Sequence, residues 1–349
     1  DGSCVERPSI QKSLQSAIIS RIKIMSDIDI GEQRIPQDGR FRIQALGKKL
    51  DMRVSVLPTI FGGRVVMRLL DKSALFPNLS GLGLEEHAFK AMSYAISQPH
   101  GIILVTGPTG SGKTTTLYSC LQELNKADVN IVTCEDPVEY QLARVNQVRI
   151  HTEVGLTFGS ALRAILRQDP DIILIGEIRD GETCEIAVKA ALTGHLVLST
   201  LHANEAAGAI TRLLDMGVEP FLMASSLILS QAQRLCRRLC PSCKKETSPN
   251  TKLLAEHNID PRMFEGVKIY GAQGCPKCHG IGYKGRAAIM EVLPVDEDIR
   301  LMILRQAITD ELRRKAEEKG MMTLRNAALL KVKEGETSIE AAVKITSGE

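Results

Sequence analysis

The apolar positions of this chain change their period as it is followed from its start. Ile10, Leu14, Ile18, Ile22 and Met25 recur at helical spacing after Pro8 and Ser9, which predicts a capped amphipathic helix. The period then falls to two. Phe41, Ile43 and Ala45 are followed by Leu50, Met52, Val54 and Val56, and then by the apolar run 66–70, with Gly39, Gly47, Gly62 and Gly63 marking the breaks. This predicts a small sheet behind the leading helix, ending near Asp71. Residues 75–84, with Pro77, Asn78, Ser80, Gly81 and Gly83, have linker composition. A helix is expected over 85–97. Beyond it, apolar strands and helical segments alternate to about Leu235, the signature of a parallel sheet covered on both faces. Helical spacing returns at Leu301, Met302, Leu304, Ile308 and Leu312, and Thr337 with Glu340 reads as a capping box opening a last helix. The expected class is therefore α/β. Its organisation is a small α+β domain over 1–72, a linker over 73–84, a sheet core over 85–235, a subdomain over 236–290 and a helical region over 291–349.

The first strand of the expected core, Ile102, Ile103, Leu104 and Val105, runs directly into Gly107, Pro108, Thr109, Gly110, Ser111, Gly112, Lys113, Thr114 and Thr115. This is the complete G-x-x-x-x-G-K-T phosphate loop, with a strand before it and helical spacing after it. A triphosphate needs many donors in a small space. Glycines at 110 and 112 let the backbone curl with its N–H groups inward, and the helix N-terminus adds partial positive charge. Lys113 can then reach the β- and γ-phosphates, and the Thr114 hydroxyl can bind Mg2+.

Three further motifs stand at expected strand ends. The strand at 130–133 leads to Glu135 and Asp136, the strand at 171–175 to Glu177, and the strand at 196–200, with His195 before it, to His202. In open α/β sheets, active sites lie past the carboxyl ends of strands. Glu177 fits a residue that holds magnesium through water or orients the attacking water, and Glu135 competes with it for water activation.

Composition narrows the function classes. A formal net charge of +3 and 3% aromatic residues over 349 positions, with no Trp, give little electrostatic or stacking support for nucleic acid. No apolar run approaches the length of about 18 residues that spans a bilayer, so a cytosolic setting is expected. The chain opens at Asp1 without a Met and is expected to be a fragment. Nine cysteines are present. Cys240 with Cys243, and Cys275 with Cys278, form two C-x-x-C knuckles whose spacing fits one tetrahedral structural zinc. Cys236 and His279 stand near enough to be alternative ligands. Cys4, Cys120, Cys134 and Cys184 are expected to be ordinary buried or partly buried thiols.

Taken together, the loop at 107–115, the segments 135–140, 162–180 and 193–204, and the two C-x-x-C pairs followed by Gly282, Tyr283, Lys284, Gly285 and Arg286 closely resemble the secretion ATPase family. Members of that family drive type II secretion and type IV pilus assembly. The resemblance covers essentially the whole chain. It implies a RecA-like P-loop ATPase domain preceded by a PAS-like domain, assembled as a homo-hexamer that uses ATP, Mg2+ and Zn2+. It also implies arginines donated across the nucleotide cleft, here Arg53, Arg68, Arg163 and Arg167, and roles for His195 and His202 in a histidine box. The implied partner is an inner-membrane platform protein, with the motor at the cytoplasmic face of that membrane and no nucleic acid. Retraction relatives normally lack the tetracysteine site, so its presence points to assembly or secretion. Between those two, Asn146, Gln147 and Val148 look like pilus ATPases, whereas 192–195 and 215–217 look like secretion ATPases. The reading leans to pilus assembly, with type II secretion as the alternative and a RecA-like nucleic-acid translocase as the reading from another class. Intact Lys113, Glu135 and Glu177 argue against an idle ATP-binding regulator.

Overall fold

Residues 4–45, 47–71 and 78–347 are described by the structure, a computed structural model. The chain divides into two units, 3–76 and 77–349. Positions 73–77 of the expected linker lie outside the described residues.

The first unit holds α1 (Gln15–Met25) and an antiparallel sheet of β1 (Gln37–Ala45), β2 (Lys48–Thr59) and β3 (Gly62–Asp71), in that order. The period-two pattern has the consequence it should. Val54 and Val56 are buried with Ile28, and Ile22, Phe41 and Val65 pack against them, while the opposite sheet face carries charge. The helix departs from its expectation. Ser9 caps nothing, since α1 begins at Gln15 after a 3-10 turn, and Ile10 and Leu14 are exposed. The buried residue of α1 is Lys23, whose ammonium donates to the Asp29 and Glu32 carbonyls and to Gln37 Oε1. A buried charge satisfied by three acceptors replaces the apolar stripe that spacing alone suggested.

The second unit begins with α2 (Glu86–Ile96) and continues through β4 (Gly101–Thr106), α3 (Lys113–Leu124), β5 (Ile131–Glu135), β6 (Asn146–Arg149) and α4 (Phe158–Ile165). It goes on with β7 (Ile172–Ile175), α5 (Gly181–Leu192), β8 (Leu196–Leu201), α6 (Ala206–Asp215), α7 (Pro220–Ser226) and β9 (Leu227–Leu239). Then come β10 (Lys245–Thr247), α8 (Thr251–Glu256), β11 (Ile269–Gly271) and β12 (Tyr283–Pro294), and last α9 (Glu297–Leu304), α10 (Thr309–Glu318), α11 (Leu324–Lys333) and α12 (Ile339–Thr346). Seven strands form one sheet in the order β12-β9-β4-β8-β7-β5-β6. Its pairings are parallel except β12 with β9. The central strands β4, β7 and β8 are buried along their whole length, as strands covered on both faces must be.

The expected subdivision of this unit does not match the sheet. Tyr283–Pro294, divided between the presumed cysteine subdomain and the helical region, is a full edge strand of the core, and 77–349 forms one compact unit. The knuckle region is an excursion between two strands, β9 and β12, that pair with each other over their length. Their pairing ties the C-terminal helices into the core as well. Glu291 on β12 is buried, and its carboxylate accepts from Ala206 N at 2.7 Å and Leu324 N at 3.4 Å, at the starts of α6 and α11. A carboxylate there satisfies orphan helix donors and meets the positive ends of two helix dipoles. The last helix is capped by Ser338, which accepts from Ala341 N, rather than by Thr337 one position earlier. Thr337 donates instead to the Arg237 carbonyl.

Candidate functional site

The phosphate loop bridges β4 and α3, and its shape follows from its glycines. Gly107, Gly110 and Gly112 have φ of 145°, 81° and 92°, a region open to glycine at little cost. A Cβ on Gly107 would fall 2.4 Å from the Gln233 carbonyl oxygen, so the loop is held close against β9. The side chain of Gln233 supports it from beneath, donating to the Ser111 carbonyl at 2.9 Å and accepting from the Thr116 hydroxyl at 2.7 Å. Lys113 curls over the loop, donating to the Gly107 and Pro108 carbonyls. Among the described residues the buried Ser111 hydroxyl has no hydrogen-bond partner. A glycine cradle, inward-facing donors and an ammonium over them fit a polyphosphate.

Because β4, β5, β7 and β8 run parallel, their carboxyl ends meet at one edge of the sheet, and the structure places Glu135, Glu177 and His202 there with the loop. Glu177 sits between His202, whose Nε2 is 3.2 Å from its Oε2, and the guanidinium of Arg179, which is paired with its other oxygen. Burial works to raise the Glu177 carboxyl, but Arg179 and His202 outweigh it and hold the group below the ordinary glutamate range. Half-burial pushes the Lys113 ammonium down, the charge of Glu177 opposes this, and Arg234 adds to it. Arg234, which sequence reasoning passed over, is anchored by the Asn204 carbonyl at 2.9 Å. With Thr114 at the start of α3, Glu177 is the group that would hold magnesium, a charge that would stabilise the phosphates during transfer.

Glu135 is the last residue of β5 rather than part of the loop after it, and it is buried. Thr133 donates to its Oε1 at 2.6 Å, Gln147 donates to the same oxygen at 3.1 Å, and the Tyr118 hydroxyl donates to its Oε2. Neither Tyr118 nor Gln147 was singled out as a site residue from sequence. Tyr118 could have been, because it lies four residues after Thr114 and hence on the same face of α3.

His195 is not brought to this edge. It immediately precedes β8, at the strand's amino end, so the strand places it at the opposite edge, about 23 Å from His202 at roughly 3.3 Å per residue. Its Nδ1 lies 2.9 Å from the Ala190 carbonyl at the end of α5, which is a helix-terminal contact and no part of the phosphate site. Arg163 pairs with Glu182 in the first turn of α5, and Arg167 donates to the Arg163 carbonyl. In the first unit, Arg53 faces Arg68 across β2 and β3, and Arg40 faces Arg53 across β1 and β2.

The four knuckle cysteines do converge. Their sulfurs lie within 4.8 Å of one another, with separations of 3.9 Å for Cys240–Cys275, 3.8 Å for Cys243–Cys278 and 3.7 Å for Cys275–Cys278. A tetrahedron with zinc–sulfur bonds of about 2.3 Å has edges of about 3.8 Å, so the set fits zinc. Burial works to raise the Cys278 thiol, but the Cys275 and Gly282 amides, each donating to its sulfur, overcome it and bring the thiol down to about 6. Cys236 is turned away, its thiol donating toward the Ala287 carbonyl, and His279 is outside the cluster. Of the remaining thiols Cys120, Cys134 and Cys184 are buried, whereas Cys4 is exposed. Since four thiolates leave no open coordination position, removing zinc is expected to unfold the knuckle and spare the phosphate loop. Elemental analysis should find one zinc per chain. Cys275→Ser should lower hydrogen-exchange protection over roughly 237–286 while nucleotide binding persists. Normal protection there in a zinc-free sample refutes the structural role.

A phosphate loop joining a central strand to a helix, with acidic and histidine residues past the neighbouring strand ends, defines a P-loop nucleotide-binding α/β protein. The chain belongs to the type II/IV secretion system protein family, whose profile matches residues 1–344. It is 51% identical over 345 residues to the type IV pilus assembly ATPase PilB of Myxococcus xanthus, which covers 98% of this chain and 61% of that protein. It is 48% identical over 349 residues to the type II secretion system protein E of Pseudomonas aeruginosa, covering 100% of this chain and 69% of that protein. The chain thus spans roughly two thirds of the length of these relatives. Among solved structures it is similar to the pilus retraction motor PilT with bound ADP, at a TM-score of 0.66, with 27% identity and coverage of 95% of this chain and 83% of that one. The Legionella pneumophila ATPase DotB shares the fold, with a TM-score of 0.70 at 21% identity over 99% of this chain and 86% of that one.

Proposed function

We propose that this chain is the catalytic portion of an ATP-hydrolysing motor that powers type IV pilus assembly. The observation that carries the reading is that Lys113, Glu177, Glu135 and His202 share one sheet edge in a chain 51% identical to a pilus assembly ATPase. Lys113 and the loop amides bind the phosphates. Glu177 and Thr114 hold Mg2+, and Glu177 or Glu135 orients the attacking water. His202 keeps Glu177 in place from the other side. Copies assemble as a hexamer in which Arg53, Arg68, Arg163 and Arg167 complete the neighbours' sites. The ring works at the cytoplasmic face of the inner membrane against a platform protein, from which pilin-like subunits are extracted. No helix among the described residues is long and apolar enough to cross a membrane, which agrees with docking through partners.

Type II secretion is the second reading, favoured by 48% identity over the full chain to secretion proteins. A chimaera separates the two. Grafted in place of the matching region of the Myxococcus xanthus pilus ATPase, the chain should restore surface pili, and Lys113→Ala in the graft should abolish them. A graft that folds and hydrolyses ATP without making pili, but restores protein release in the Pseudomonas aeruginosa counterpart, establishes the second reading. ATP turnover that rises on adding single-stranded DNA or RNA turns the assignment towards nucleic-acid translocation.

A further inference from the structure

Glu135 presents an unusual balance. It is a buried carboxylate, 4% exposed, whose hydrogen bonds among the described residues all come from neutral donors: Thr133, Gln147 and Tyr118. A carboxylate has about four lone-pair sites. Thr133 and Gln147 occupy two on Oε1, which leaves that oxygen no further capacity. Oε2 has one bond, from Tyr118, and therefore one site still open. Any water that Glu135 activates must bond to Oε2, the oxygen to which the Tyr118 hydroxyl donates.

Besides Glu135, Tyr118 is held by Gln147 and by the backbone of Glu139 and Tyr140. Gln147 Nε2 lies 3.3 Å from its oxygen and 3.1 Å from the Tyr140 carbonyl, while Gln147 Oε1 accepts from Leu142 N at 2.7 Å. One glutamine thus ties β6 to the loop that follows Glu135. The tyrosine belongs to α3, the helix that grows out of the phosphate loop, one turn after Thr114. Burial, and then the neighbouring Glu135, push its phenol far up, so it stays a hydrogen-bond donor throughout the neutral range.

We propose that Tyr118 is a positioning residue for the hydrolysis reaction. Its hydroxyl orients Glu135 Oε2 toward the phosphate loop, with Gln147 bracing the pair, so that the helix carrying the loop also aims the carboxylate. This rests on the reading that Glu135 takes part in ATP hydrolysis. Its geometry requires no contact between Tyr118 and the nucleotide.

The test is a double-mutant cycle in the full chain. Tyr118→Phe keeps the ring and removes the hydroxyl. It is expected to lower kcat by about tenfold to a hundredfold, the range in which misplacing a catalytic group is felt, with KM for ATP and the affinity for a fluorescent ATP analogue within about twofold of wild type. Gln147→Met should lower kcat in the same direction and guards against misfolding of the tyrosine variant. In a Glu135→Gln background, Tyr118→Phe should cost nothing more, because groups that act through one another are not additive. The same coupling should appear without nucleotide, as a less than additive loss of urea stability for Tyr118→Phe with Glu135→Gln. If Glu135→Gln turns over ATP at the wild-type rate, the underlying role of Glu135 fails and the proposal falls with it. If Glu135→Gln is impaired but Tyr118→Phe keeps wild-type kcat, or its effect adds in full to that of Glu135→Gln, the positioning role alone is overturned.

Discussion

Glu177→Gln is expected to lower ATP turnover at least about a hundredfold while leaving nucleotide affinity nearly intact, the scale seen when a group that places water or metal loses its charge. The expectation comes from where Glu177 stands. It follows β7, its charge reaches Lys113, and its side chain is only 15% exposed. Arg179 and His202 keep it ionised through the neutral range, so the amide removes a charge that is present in the working state. Equilibrium binding of a fluorescent ATP analogue and steady-state phosphate release, measured side by side, separate the two effects. Glu135→Gln belongs in the same experiment and is expected to lose less. If Glu177→Gln hydrolyses normally and Glu135→Gln is dead, the two carboxylates have been ranked in the wrong order.

A still larger effect is expected from arginine. Replacing the finger arginine among Arg53, Arg68, Arg163 and Arg167 should cost about a thousandfold or more in turnover, as for arginines supplied to phosphoryl-transfer sites from another chain. Turnover per chain should also fall on dilution, since each site would depend on assembly. In the first unit Arg40, Arg53 and Arg68 stand in register on adjacent strands. Mixing inactive Lys113→Ala chains with inactive arginine-substituted chains should restore part of the activity, because each supplies what the other lacks. Mixtures no more active than their components, together with turnover independent of concentration, exclude a shared site.

Sequence was most informative where function depends on neighbours along the chain. The phosphate loop, the strands that end at Glu177 and His202, and the paired C-x-x-C motifs are local patterns, and local patterns fix local geometry. What stayed hidden depends on residues that meet only in the fold. Gln233 reaches the loop from more than a hundred positions away, Tyr118 on α3 meets Glu135 and Gln147 on two strands, and Glu291 joins the starts of two helices. No periodicity announces such meetings. His195 stands just before β8, as its place in the sequence already implied, and so at the amino edge of the sheet. Lys23 shows the converse, since a helical stripe of apolar residues marked one face of α1 while three acceptors beyond the helix drew a lysine into the interior.

The strand β9 has a mechanical side. It runs from Leu227 to Leu239, is paired by β4 over 227–232 and by β12 over 229–239, and is followed at once by Cys240, the first thiolate of the zinc set. Seven residues, or about 23 Å of extended backbone, separate that thiolate from Gln233, whose side chain grips the Ser111 carbonyl. An extended strand has no slack to take up. Knuckle and phosphate loop are therefore fastened to one strand, the knuckle at its end and the loop at its middle, and a tug along its axis at either point is carried to the other.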